Sequence, residues 1–188
     1  GVAVGTEKAF AAASARGLAK MFFVNGLCDE SARFYRVFED LKAHFGPSIC
    51  PVVVPFIVDG QANIYINILE YKAYDYSGGA PVEVKMPDMG DRLEGLRTAI
   101  YEAVAETSEE FMEKYFAGEP FTQEEIIQGL HNGVKDLTLC PVVCGSAFTG
   151  LGTLTLLDCI IKLFPNPVEI PNRKGTDMQG NKVEIDIT

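Results

Sequence analysis

Leu139-Cys140-Pro141-Val142-Val143-Cys144-Gly145-Ser146-Ala147-Phe148-Thr149-Gly150-Leu151-Gly152 passes from an apolar run into a glycine-bounded loop. Leu139–Cys144 predicts a buried strand, because it is a short apolar run between breakers. Gly145–Gly150 predicts a loop, and Leu151 to Phe164 an amphipathic helix that ends before Pro165. Strand, loop and helix in that order form the repeating unit of α/β sheets. An earlier stretch repeats the pattern. Ala19–Asn25 predicts a strand buried on both faces. Glu30 to His44 predicts a helix, with Phe34, Val37, Phe38, Leu41 and Phe45 at helical spacing and Gly46-Pro47 as its stop. Ahead of both, Thr6 to Arg16 predicts a helix capped by Thr6 and ended by Gly17.

Different material lies between these units. Pro51–Val58, Asn63–Leu69, Tyr71–Tyr76 and Val82–Lys85 predict strands of an antiparallel meander, turned at Asp59-Gly60 and Ser77-Gly78-Gly79. Helices follow from Asp91 to about Gly133, the last opened by a capping box of Thr122 and Glu125. The tail ends on alternating Val183, Ile185 and Ile187, a strand pattern without a visible partner. Two strand–loop–helix units are too few for an independent doubly wound sheet. The chain therefore reads as α/β, half of such a domain carrying an inserted α+β block of antiparallel strands and helices.

The bulk composition suits a soluble globular chain: 188 residues, 47% hydrophobic and 22% charged. Its longest apolar run, Pro51–Val58, has eight residues and two prolines, against the roughly 20 that a membrane span needs. No membrane association is expected. There is no basic leader, and Gly1 in place of Met suggests a processed or excised chain. The formal charge of −10 argues against nonspecific nucleic-acid binding. Residues 83–125 hold 12 acids and 4 bases, so the acidity belongs mainly to one region. Five cysteines with no CxxC pair and no secretion signal point to free, buried, inert thiols in a reducing cytoplasm. The two histidines, His44 and His131, have no ligand-spaced neighbours, so no metal site is expected.

Few residues offer chemistry. The loop Gly145–Gly152 lies where α/β folds bind phosphates. A phosphate loop needs a lysine where Leu151 stands, so a plain strand-to-helix connection accounts for it better. Asn25, at the carboxyl end of its strand, reads alone as a turn former. Between Arg92 and Phe116, Leu93, Leu96, Ile100, Val104, Phe111 and Tyr115 make an apolar stripe. Glu102, Glu106, Glu109 and Glu113 make a second stripe, and Glu102 lies about 200° around the helix from Ile100. That face is either merely solvated or a docking surface for a basic partner, since like charges at this spacing cost helix stability. No nucleophile–base pair is visible, and catalysis by this chain has no apparatus.

Several stretches together resemble bacterial translation elongation factor G, the ribosomal translocation GTPase. They are Val4–Phe10, Met21–Asn25, Phe34–Phe38, Ala103–Tyr115, Gly118-Glu119, Pro141–Phe148 and Leu163–Glu169, in the family's order. The resemblance implies that residues 1–49 and 137–175 are the second half of a P-loop-GTPase-like guanine-nucleotide domain. Residues 50–136 would be the subdomain inserted in it, and 176–188 the start of the next domain. In the family, guanine is read by an Asn-Lys-x-Asp motif. Here Asn25 matches, while Gly26 and Cys28 replace the lysine and the aspartate. A thiol in place of a carboxylate should cost about 2–4 kcal/mol of recognition. The second base-contacting motif matches at Ser146 and Ala147, with Phe148 following. The phosphate loop and switches would precede Gly1. GTP or GDP is thus the cofactor of the parent protein, and this chain is expected not to hydrolyse GTP and to bind it weakly or not at all. The resemblance also implies partners: the ribosome, and the C-terminal domain of its stalk protein, met by Glu102, Glu106 and Glu109. A degenerate, nucleotide-independent ribosome-interaction module is the alternative.

Overall fold

The structure is a computed structural model that describes residues 1–29, 33–58, 61–169 and 173–185. Helix α1 (Val4–Ala15) begins earlier than expected. The carbonyl of Ala3 accepts from the Thr6 and Glu7 amides, so Thr6 lies inside the helix and caps nothing. Strand β1 (Phe22–Val24) is shorter than expected and half-buried, where burial on both faces was expected. Helix α2 (Phe34–Phe45) buries Phe34, Phe38 and Leu41 and stops at Gly46, whose φ of 83° suits glycine. The start expected for it at Glu30 lies outside the described residues. Strand β2 is Ile49–Pro51.

The run expected as one strand, Pro51–Val58, is divided at Val52. Pro51 closes β2, while β3 (Val53–Val58) opens the second sheet. Val52 joins the two. Its amide donates to the carbonyl of Val142, and its carbonyl accepts from the Ile68 amide, each at 2.9 Å. Strands β4 (Gln61–Asn67), β5 (Lys72–Asp75) and β6 (Val82–Val84) then complete an antiparallel meander in the order β3-β4-β5-β6, as expected. The buried Asn67 makes the turn after β4, its Oδ1 accepting from the amides of Leu69 and Glu70.

Three helices follow: α3 (Asp91–Ala105), α4 (Glu109–Phe116) and α5 (Gln123–Lys135). Ser108 caps α4 by accepting from the Phe111 amide, which separates α3 from α4. Thr122 and Glu125 form the expected capping box. Glycine at 129 lets α5 approach α3 closely, since a Cβ there would lie 2.6 Å from Val104 Cγ1.

Strand β7 (Cys140–Cys144) is the centre of the first sheet, in the order β1-β7-β2, and all five of its residues are buried. Both neighbours are parallel to it, with Val24 opposite Cys144 and Ile49 opposite Cys140. Among the described residues β1 pairs with β7 alone. Helix α6 (Thr153–Leu163) comes next. The tail strand does have a partner: β9 (Lys182–Ile185) pairs antiparallel with β8 (Arg173–Thr176). Ile187 lies outside the described residues. One continuous core runs from Phe34 and Val142 through Val54 and Ile66 to Ile100 and Leu130. Among the described residues no helix is long and apolar enough to cross a membrane.

All five thiols are free, but they are not uniformly buried. Cys50, Cys140, Cys144 and Cys159 are buried; Cys28 is exposed, because it sits in a loop at the sheet's end. Burial pushes the Cys50, Cys140 and Cys159 thiols up to about 12.

Candidate functional site: paired loops and an acidic face

Because β1 and β7 are parallel neighbours, the loops that follow them emerge at the same end of the sheet. That is where open α/β sheets place ligands. Four hydrogen bonds cross between the loops, and two more lie within them. The Gly145 amide donates to the Val24 carbonyl, and the Leu27 amide to the Gly145 carbonyl, each at 3.1 Å. Asn25 Oδ1 accepts from the Gly26 and Ala147 amides, each at 2.8 Å. Ser146 Oγ donates to Cys28 Sγ at 3.1 Å and accepts from the Thr149 amide at 3.3 Å.

Glycines allow this closeness. A Cβ on Gly145 would lie 2.3 Å from the Leu151 carbonyl oxygen, and one on Gly152 would lie 2.5 Å from that of Cys144. Gly26 has φ of 81°, a backbone state that a lysine at this position would adopt only with strain.

Asn25, Ser146 and Ala147 are thus brought together with Gly26 and Cys28. Phe148 is not; it is 93% exposed. Ser146 is fully buried. The Cys28 thiol is engaged by the Ser146 hydroxyl. Asn25 Oδ1 and the Ala147 amide satisfy each other. Among the described residues no group of His, Cys, Asp and Glu is arranged to hold a metal ion.

The acidic face lies on α3 and α4. Glu102, Glu106, Glu109 and Glu113 are all exposed, while Leu93, Leu96, Ile100, Val104 and Phe111 are buried beneath. The face spans two helices. Glu102 is in the last turn of α3 and Glu106 is its C-cap; Glu109 opens α4. Glu102 Oε1 accepts from Tyr115 Oη at 3.3 Å, a link between the two helices. Acids at a helix C-terminus oppose the helix dipole by about 0.3–1 kcal/mol each.

A clasp absent from the sequence reading ties the meander to α6. Lys162 pairs with both Glu70 and Asp158, Tyr74 donates to Glu70, and Tyr76 Oη bonds Thr155 Oγ1 at 2.7 Å. The helical i,i+4 spacing of Asp158 and Lys162 was its one signal in the sequence. Burial alone would raise the Glu70 carboxyl; the hydrogen bonds from Lys162 and Tyr74 outweigh it and hold the group below its usual range.

Comparison with known proteins places this architecture. Elongation factor G of Ureaplasma parvum serovar 3 is 32% identical over 188 residues, which is 98% of this chain and 27% of the relative. The chain is similar to elongation factor G along nearly its whole length. Elongation factor G of Ureaplasma urealyticum serovar 10 matches to the same extent. A crystal structure of a Thermus thermophilus protein shares the fold with a TM-score of 0.83 and 34% identity, over 93% of this chain and 26% of that one. No family model matches. The chain spans about a quarter of the length of the elongation factor G sequences it matches. The matched length takes in all three sheets, the paired loops and the acidic helices.

Proposed function

We propose that this chain is a part of a ribosomal translocation GTPase of the elongation factor G kind, working in the cytoplasm, and that its own contribution is docking. The observation that carries the reading is similarity to elongation factor G along 98% of the chain. The docking surface is the acidic face, with Glu102, Glu106 and Glu109 meeting the C-terminal domain of the ribosomal stalk protein. Placing Glu102 and Glu106 at a helix C-terminus costs local stability, which supports a role in binding. Charge complementarity of this kind speeds encounter and is screened by salt. Calorimetric titration with the stalk protein's C-terminal domain tests it. Binding should weaken about tenfold between low and moderate salt, and by about as much again in Glu102→Lys/Glu106→Lys. Salt-insensitive binding that ignores the charge reversal would remove the acidic face from the reading.

GTP or GDP belongs to the parent protein; this chain by itself binds them weakly or not at all and does not hydrolyse GTP. The support is the engaged thiol at Cys28 and the glycine at 26. The same observation favours a second reading, a ribosome-interaction module that works without nucleotide. Titration with GDP separates the chain from an active nucleotide domain: no saturation is expected through the micromolar range, and saturable micromolar binding would sink the proposal.

A further inference from the structure

Between the β4–β5 turn and helices α3 and α5 lies a cavity of about 290 Å³. Leu69, Ile100 and Phe121 are buried and make its floor, while Tyr71, Arg97 and Tyr101 reach the surface at its mouth. No residue of α1, β1 or α6 lines it; the cavity is built within residues 68–126.

The cation at the mouth is fixed by its neighbours. Arg97 Nε and Nη2 both donate to Tyr101 Oη, at 3.2 and 2.9 Å. The guanidinium carbon lies 5.3 Å from the Tyr71 ring centre and 5.2 Å from that of Tyr101. Tyr71 reaches this place with a φ of 53°, a left-handed backbone that is rare for a bulky residue. Strain kept where glycine or asparagine would relax it points to a task for the side chain. Arg97 Nη1 is left over. The Glu94 carboxylate is 4.0 Å from it, too far for a hydrogen bond. Glu70 also borders the cavity, but its carboxylate is taken by Lys162 and Tyr74.

An apolar floor beneath a positioned guanidinium suits a ligand with a hydrocarbon body and a carboxylate. One negative charge fits better than two. Residues 83–125 hold 12 acids and 4 bases, so a dianion would meet repulsion that a single guanidinium does not offset. Arg92 and Lys114 give no help, since Arg92 lies over the Tyr35 ring and Lys114 pairs with Glu125.

We propose that this cavity binds a small aliphatic monocarboxylate, its hydrocarbon against Leu69, Ile100 and Phe121 and its carboxylate on Arg97 Nη1. The inference does not rest on the ribosomal reading. The probe is hexanoate, added to the full chain at neutral pH and followed by amide chemical shifts. The shifts should gather on the residues around the cavity and saturate with a Kd on the order of 1 mM. Hexanol has the same hydrocarbon and no charge, and inorganic phosphate has charge and no hydrocarbon; each should bind at least about 10-fold more weakly. Arg97→Gln should bring hexanoate down to the level of hexanol and leave hexanol unchanged. If circular dichroism shows that variant unfolded, the three probes on the unaltered chain decide alone. No saturation up to about 20 mM hexanoate would overturn the proposal. So would shifts that gather elsewhere, hexanol or phosphate binding as tightly as hexanoate, or a folded Arg97→Gln that binds hexanoate unchanged.

Discussion

Gly145 is where one atom decides most. It sits between the centre of the sheet and the loop that folds back on it, and a methyl group there would meet the Leu151 carbonyl oxygen at 2.3 Å. Backbone cannot yield as a side chain would. Gly145→Ala should destabilise by about 3 kcal/mol or more and lower the midpoint of thermal unfolding by about 6–12 °C. An unchanged midpoint would show that the loop can shift freely. At this scale the sequence was legible in identities and opaque in contacts. Gly26 and Cys28 announced themselves by departing from a motif. The bond between Ser146 and Cys28 did not, because it joins residues 118 apart that meet only when two parallel strands align. The exposure of Cys28 was misjudged for a related reason: cysteine's tendency to be buried is a property of interiors, and this one lies on a loop at the edge.

Among elements, Lys162 is the connection between the meander and α6. The sign of its pH dependence follows from the two groups. Glu70 is held below its ordinary value, so its contribution exists above that value and fades as the pH falls. Lys162 is raised above its ordinary value, by Asp158 and Glu70 against the opposing effect of burial, so its contribution fades as the pH rises past the lysine range. The clasp should be at full strength between about pH 5 and 10. Lys162→Met should then cost about 2 kcal/mol at neutral pH and less at a pH low enough to protonate Glu70, read by urea unfolding at the two values. An equal loss at both would make the lysine a packing residue. The half-exposed Asp158 adds little. Capping boxes and turns were legible because their signals are local. The break at Val52 was hidden, since a run buried by two successive sheets shows no change of pattern. The partner of β9 was hidden too, because Arg173–Thr176 lacks apolar alternation.

Over the whole molecule, the charge of −10 is concentrated on the helical insertion. Crowded like charges oppose the folded state, and salt relieves them. Moving from low to moderate salt should raise the unfolding midpoint by about 2–4 °C. A fall would mean that pairs such as Lys114–Glu125 outweigh the repulsion. The central place of β7 has another consequence, in the order of synthesis. β1 and β2 leave the ribosome long before the strand that must lie between them. The meander can close on itself from near neighbours, since its pairings are local. The parallel sheet cannot begin until residue 144 has emerged. During that interval Phe22, Phe23 and Ile49 face only water or a chaperone, and the insertion has to be made first for the domain around it to close.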